Sequence, residues 1–206
     1  MNDPLERPHV WQPGAGGPPL LLLHGTGGNE HDLLPLREHI APDSPVLSPR
    51  GTVLEHGMAR FFRRLREGVF DEDDLRARTD ELAVFLSAAE QKYGVPAGEW
   101  VAVGFSNGAN MASALLLRHP EALAGAVLMG AMVPFADEGP EDKALSGKRV
   151  LIVNGERDPM ATPEQTQTLA ANLRRRSAEV EVLTFAGGHT IDHEQLPRIR
   201  QFVGYW

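Results

Sequence analysis

The chain predicts an alternating α/β protein built on a mostly parallel central sheet with helices on both faces. Three observations carry that expectation. Short, uniformly apolar runs such as Leu20 to Leu23 read as strands buried on both sides. Between these runs lie segments whose apolar residues recur at helical spacing. Glycines and polar residues then collect just after the apolar runs, where an α/β sheet gathers its functional groups at the C-terminal strand ends.

Taken in order, a short strand is expected around Val10 and Trp11, then a Gly/Pro-rich loop over 13–19 and the second strand at Leu20 to Leu23. A helix is expected over about 30–41 and a short strand near Val46 and Leu47. Residues 51–70 read as loop-rich. Residues 71–93 form a long helix, with Leu75, Leu82, Phe85, Leu86 and Ala89 on one face. Asp71, Asp73 and Asp74 sit at its positive N-terminal end. A strand at Trp100 to Val103 leads into a helix from about Asn107 to Arg118, and further strands follow at 124–129, 149–153 and 180–185. Thr162, Pro163 and Gln165 read as an N-cap, a first-turn proline and a capping-box partner. A last helix spans about 191–204. The 206 residues fit one domain, 1–206, with a sizeable core.

Composition narrows the classes. A formal net charge of −8 argues against general nucleic-acid binding. With no cysteine, disulfides, thiolate metal sites and a cysteine nucleophile are excluded. The N-terminus is polar and lacks the basic start and apolar core of a secretion signal. No apolar stretch approaches the roughly 20 residues that span a bilayer. The expectation is a soluble, cytoplasmic protein with no membrane partner.

The chemistry-bearing residues stand at strand ends. Gly104-Phe105-Ser106-Asn107-Gly108 is G-x-S-x-G between a strand and a helix, the setting in which a sharp turn lifts a nucleophilic serine above the sheet. A serine needs a base, and the base needs an orienting acid. Asp158 follows the strand 149–153, and His189 follows the strand 180–185 behind Gly187 and Gly188. Acid and base therefore come in the order this arrangement requires. Glu156 is a rival acid and His193 a rival base. Glu156 follows its strand too closely, and His193 falls inside the last helix. The developing oxyanion needs two donors, for which the main-chain amides of Asn107 and Thr26 are the candidates. Thr26 stands in His24-Gly25-Thr26-Gly27-Gly28, after the first buried strand. His24 reads as orienting that loop. The loop is not a phosphate-binding P-loop, because the G-x-x-x-x-G-K-[ST] pattern is absent, and no H-E-x-x-H zinc motif occurs.

HGTGG, GFSNGAN, NGERDPM and AGGHTIDHE together resemble the phospholipase/carboxylesterase group of α/β-hydrolases, from about Val10 to the C-terminus. The segment from Ser48 to Leu75 is similar to a bacterial branch of hydrolases, some linked to hydroquinone or aromatic-compound stress. The resemblance implies an α/β-hydrolase fold. It implies Ser106, Asp158 and His189 as nucleophile, acid and base, with Thr26 and Asn107 at the oxyanion hole. It also implies a mainly cofactor-free carboxylesterase, often a homodimer, acting on a small-molecule ester or thioester; the scattered histidines separately argue against a metal site. Acyl-protein thioesterases commonly carry glutamine after the nucleophile; Asn107 departs from that and makes depalmitoylation less expected. Acyl thioesterase or lysophospholipase action, and a catalytically silent ligand binder, are the alternative readings.

For substrate contacts, Phe61 and Phe62 amid Arg60, Arg63, Arg64 and Arg66 are candidates to hold an apolar group beside an anionic one. The opposing reading packs the phenylalanines inward and pairs the arginines with neighbouring acids. Met132 and Val133, after the strand 124–129, are candidates for an acyl pocket. The chain is too short for a large cap domain, so an open site is expected.

Overall fold

The computed structural model describes residues 4–136 and 144–206. Its strands are β1 (His9–Gln12), β2 (Leu20–Leu23), β3 (Val46–Pro49), β4 (Val53–Glu55), β5 (Met58–Arg60), β6 (Arg64–Arg66), β7 (Val69–Phe70), β8 (Trp100–Phe105), β9 (Leu123–Met129), β10 (Arg149–Gly155) and β11 (Glu179–Phe185). Its α-helices are α1 (Leu36–Ile40), α2 (Glu72–Tyr93), α3 (Asn107–Arg118), α4 (Pro163–Arg175) and α5 (Leu196–Val203).

Among the described residues, seven strands form the central sheet in the order β1-β3-β2-β8-β9-β10-β11. All neighbours are parallel except β1, which closes one edge antiparallel to β3. The two faces are filled by alternate residues of the same strands. Leu21 and Leu23 join Leu75, Leu82, Leu115 and Leu169 beneath α2, α3 and α4. Leu20 and Leu22 join Leu36, Ile40, Ile199 and Phe202 beneath α1 and α5. All four β2 leucines are fully buried, which explains why that strand lacks polar alternation. Each such side chain contributes about 1.5–3 kcal/mol by leaving water. Among the described residues, no helix is long and apolar enough to cross a membrane.

The termini of α2 follow from local chemistry. Asp71 caps its start by accepting the Asp74 N–H at 3.1 Å, and Gly94, left-handed at φ 70°, ends it.

Three expected elements differ in form. The helix over 30–41 is reduced to α1, preceded by turns between 29 and 36. Pro35 has no N–H to give to the His31 carbonyl, so an α-helix cannot run through it. Glu30 is instead drawn to Arg50, whose Nε and a terminal nitrogen donate to it at 2.5 and 2.7 Å. The last helix starts later, because Asp192 caps a 3₁₀ turn (His193–Gln195) and α5 begins at Leu196 with Pro197 in its first turn. The loop-rich segment 51–70 contains two β-hairpins, β4–β5 and β6–β7. In the first, His56 and Gly57 both have positive φ (50° and 82°) and make the two-residue turn that matches strand twist.

The capping box at α4 is half formed. Thr162 Oγ1 accepts the Gln165 N–H at 3.2 Å, as expected. The Gln165 side chain does not reach back; its Oε1 accepts the Val133 N–H at 3.0 Å. That bond ties α4 to the loop after β9.

Candidate active site

Ser106 stands between β8 and α3 with φ 53° and ψ −116°, a region non-glycine residues rarely occupy. Such a conformation costs about 1–3 kcal/mol and persists only where its surroundings enforce it. Here the Ser106 N–H donates to the Met129 carbonyl at 2.8 Å, and its own carbonyl accepts the Asn110 N–H at 3.0 Å. The glycines of the motif permit the turn. A Cβ on Gly104 would lie 2.6 Å from the Gly108 carbonyl oxygen, and one on Gly108 only 2.0 Å from that of Leu23. No side chain fits at either position.

The loops after β10 and β11 carry Asp158 and His189 to the same place. They are laced by main-chain bonds, Glu156 N–H to the Phe185 carbonyl at 2.9 Å and Arg157 N–H to that of Gly187 at 2.8 Å. Asp158 is buried, and its Oδ1 accepts the N–H groups of Met160 and Ala161 at 2.8 and 3.0 Å. Its Oδ2 lies 2.6 Å from His189 Nδ1, and His189 Nε2 lies 2.7 Å from Ser106 Oγ. With Asp158 ionised, Nδ1 carries the proton it donates. Nε2 is then left with a lone pair toward the serine hydroxyl. The imidazole is backed by Phe105, with ring centroids 5.1 Å apart. Beside it runs Gly130 (φ 65°), where a Cβ would sit 2.9 Å from His189 Cε1.

These groups open into a cleft of about 220 Å³. Thr26, Asn107 and Met132 line it together with Ser106 and His189. Neither the Thr26 nor the Asn107 amide donates to an acceptor among the described residues. The Asn107 side chain is spent differently, its Oδ1 accepting the Phe61 N–H at 2.7 Å.

Three expected lining residues are not at the cleft. Phe61 and Phe62 are 2 % and 0 % exposed and belong to the core. Phe61 lies against His24 with centroids 4.7 Å apart, and Phe62 meets Phe70 edge-on at 5.1 Å. Burying two aromatic rings outweighs presenting them to a wet cleft. Val133 also turns away, packing half-buried against the core with its N–H held by Gln165. The rivals stand outside as well. Glu156 and His193 are exposed and line no part of the cleft.

His24 sits behind the cleft and is almost fully buried. Its Nε2 accepts the Gly51 N–H at 3.0 Å, so Nδ1 carries the hydrogen and donates to the Gly25 carbonyl at 2.7 Å. The ring thus buttresses the loop bearing Thr26. Burial pushes its pKa down, because the interior disfavours the charged imidazolium.

Sequence reasoning missed Phe70, Phe105, Asn110 and Met160, which also line the cleft. Phe105 and Met160 had a usable signal, since each adjoins a candidate catalytic residue. Asn110 is, with Asn107 and Ser113, a buried polar residue on α3. It accepts the Met132 N–H at 2.8 Å and so fixes the loop that brings Met132 in. Asn154 holds the same loop through the Ala131 N–H and carbonyl, both at 3.1 Å. Nothing in the sequence marks Phe70.

The model of the phospholipase/carboxylesterase family matches residues 17–206. The MhqD protein of Bacillus subtilis (strain 168) is 44 % identical over 194 residues, covering 94 % of this chain and 96 % of that protein. The crystal structure of the Bacillus cereus carboxylesterase superposes with a TM-score of 0.93 at 43 % identity, covering 97 % of this chain and 94 % of that one. The Mesorhizobium loti carboxylesterase gives a TM-score of 0.85 at 32 % identity, with 92 % and 90 % covered.

Proposed function

The chain belongs to the phospholipase/carboxylesterase family, and from that premise we propose a serine hydrolase cleaving small to medium carboxylic esters through an acyl-enzyme on Ser106. The observation that carries this reading is the unbroken relay from Ser106 Oγ through His189 to Asp158, at 2.7 and 2.6 Å.

In the proposed reaction His189 Nε2 takes the hydroxyl proton as Ser106 Oγ bonds to the substrate carbonyl carbon. The amides of Thr26 and Asn107 donate to the resulting oxyanion. The imidazolium, stabilised by Asp158, then gives its proton to the departing alkoxide and the C–O bond breaks. Water attacks the acyl-enzyme by the same route, releasing the acid and restoring the serine. The cleft volume of about 220 Å³ lies below the ~300–1,000 Å³ typical of drug-sized sites, which supports a short acyl or alcohol group.

Replacing Ser106 by Ala tests the reading on a p-nitrophenyl ester. Turnover is expected to fall by about 10³-fold or more; an undiminished rate would overturn the assignment. A panel of esters and thioesters of graded chain length separates carboxylesterase from thioesterase or lysophospholipase action. Rates should favour the short esters.

A further inference from the structure

Two arginines, Arg60 and Arg64, line the cleft, and they share a single paired carboxylate. Arg60, at the end of β5, is buried. Its Nε donates to the Phe62 carbonyl at 3.0 Å and one terminal nitrogen to Thr26 Oγ1 at 2.7 Å. Its only carboxylate contact among the described residues is Glu55, at 3.5 Å. That same Glu55 is already engaged by Arg64, whose Nε reaches its two oxygens at 3.0 and 3.1 Å. Two guanidinium groups thus share one carboxylate. Both line the cleft beside Ser106. The terminal nitrogens of Arg64 and one of Arg60 have no acceptor among the described residues. Glu67 also lines the cleft but is exposed, where water and salt screen it. Arg63 is different: it is exposed and paired with Asp71 at 2.7 Å.

A buried guanidinium held largely by neutral acceptors keeps its charge, here with one terminal nitrogen of Arg60 still free to donate, while both terminal nitrogens of Arg64 form a planar fork suited to a carboxylate. We infer that Arg60 and Arg64 form an anion subsite of the cleft, and that the preferred substrates are small esters that also carry a carboxylate. Arg60 is the fixed member, locked to the loop that bears Thr26; Arg64, half-buried, closes on the free carboxylate. Phe70 and Met132, which line the same cleft, contact the carbon atoms between that group and the ester. This specificity rests on the serine-esterase reading above.

The test pairs charged and neutral forms of the same compounds: monomethyl against dimethyl glutarate, and acetoxyacetate against its methyl ester. Within at least one pair the wild-type protein should favour the charged form by about tenfold in kcat/KM, as charge-assisted hydrogen bonds allow. That preference should shrink with added salt and in Arg64→Gln, persist in part in Arg64→Lys, and grow in Glu67→Gln. Glutarate binding to the Ser106→Ala protein, read by calorimetry, gives a measure that needs no turnover and should weaken in the Ser106→Ala/Arg64→Gln double variant. Hydrolysis of the neutral esters without preference in either pair would overturn the subsite and leave the esterase standing. Glutarate binding lost with Arg64→Gln, in a protein hydrolysing neither form, would keep the anion site and overturn the esterase.

Discussion

Asp158→Asn is a nearly isosteric change whose consequence is fixed by the atoms around it. In the native arrangement Oδ1 accepts two main-chain N–H groups, from Met160 and Ala161, and Oδ2 accepts His189 Nδ1–H. An asparagine has one oxygen and one NH₂ to fill those two places. If its NH₂ faced Met160 and Ala161, two amides, that of Ala161 buried and that of Met160 partly so, would lose their acceptor and meet a donor, at about 1–3 kcal/mol for a buried unsatisfied group. The oxygen therefore takes that side, and the NH₂ faces His189. Nδ1 must then accept, the ring proton moves to Nε2, and Nε2 points a hydrogen at Ser106 Oγ. A base in that tautomer cannot take the serine proton. The expected loss is about 10⁴-fold in kcat, the cost of this tautomer error in serine hydrolases, or about 5.5 kcal/mol of transition-state stabilisation. Steady-state hydrolysis of a p-nitrophenyl ester measures it, with thermal unfolding as the control for an intact fold. An Asp158→Asn protein that folds normally and keeps kcat within tenfold of wild type would overturn this assignment of the tautomer.

Other predictions follow from equally local facts. Gly130→Ala should depress esterase activity more than stability, because the added Cβ meets His189 Cε1 at 2.9 Å at a position of φ 65°; kcat and the unfolding midpoint measured together decide it. Asn154→Ala should destabilise by about 2–4 kcal/mol, since it strips partners from the Ala131 N–H, the Ala131 carbonyl and the Thr166 hydroxyl, all read by urea denaturation. For His24 the folded pKa lies below the unfolded value of about 6.5, so below that pH the unfolded chain binds a proton the folded one resists. Stability should therefore fall as pH drops through the region just below 6.5, by up to about 1.4 kcal/mol per pH unit from this group. His24→Gln should flatten that part of a denaturation-versus-pH curve, and an unchanged slope would contradict the assignment.

Much of the fold was legible in the sequence because the strongest signals were also the most buried. Leu20 to Leu23 has no polar residue to confuse its reading, and both sheet faces need it apolar. The convergence of Ser106, Asp158 and His189 was legible because each stands shortly after a strand, and parallel strands deliver such positions to one edge. What the sequence hid depended on competition between nearby groups. The helix expected over 30–41 fits the spacing of Leu33, Leu36 and Ile40, but Pro35 and the Glu30–Arg50 pair prevail over it. The hairpins over 53–70 are too short to show alternation. Phe61 and Phe62 looked suited to line a cleft, yet they fill the core while Arg60 and Arg64 take the wall. In the link between β5 and β6, side-chain direction is set by partners distant in sequence, here the Asn107 side chain holding the Phe61 N–H, and no local pattern carries that information.

The proposed chemistry requires Ser106 to be the nucleophile. Treating the protein with a fluorophosphonate and mapping the adduct by peptide mass spectrometry addresses this directly. One label per chain is expected, on Ser106, with ester hydrolysis lost in proportion and no adduct in Ser106→Ala. Full esterase activity in a protein labelled at Ser106, or an adduct on another residue that tracks the loss of activity, would contradict it.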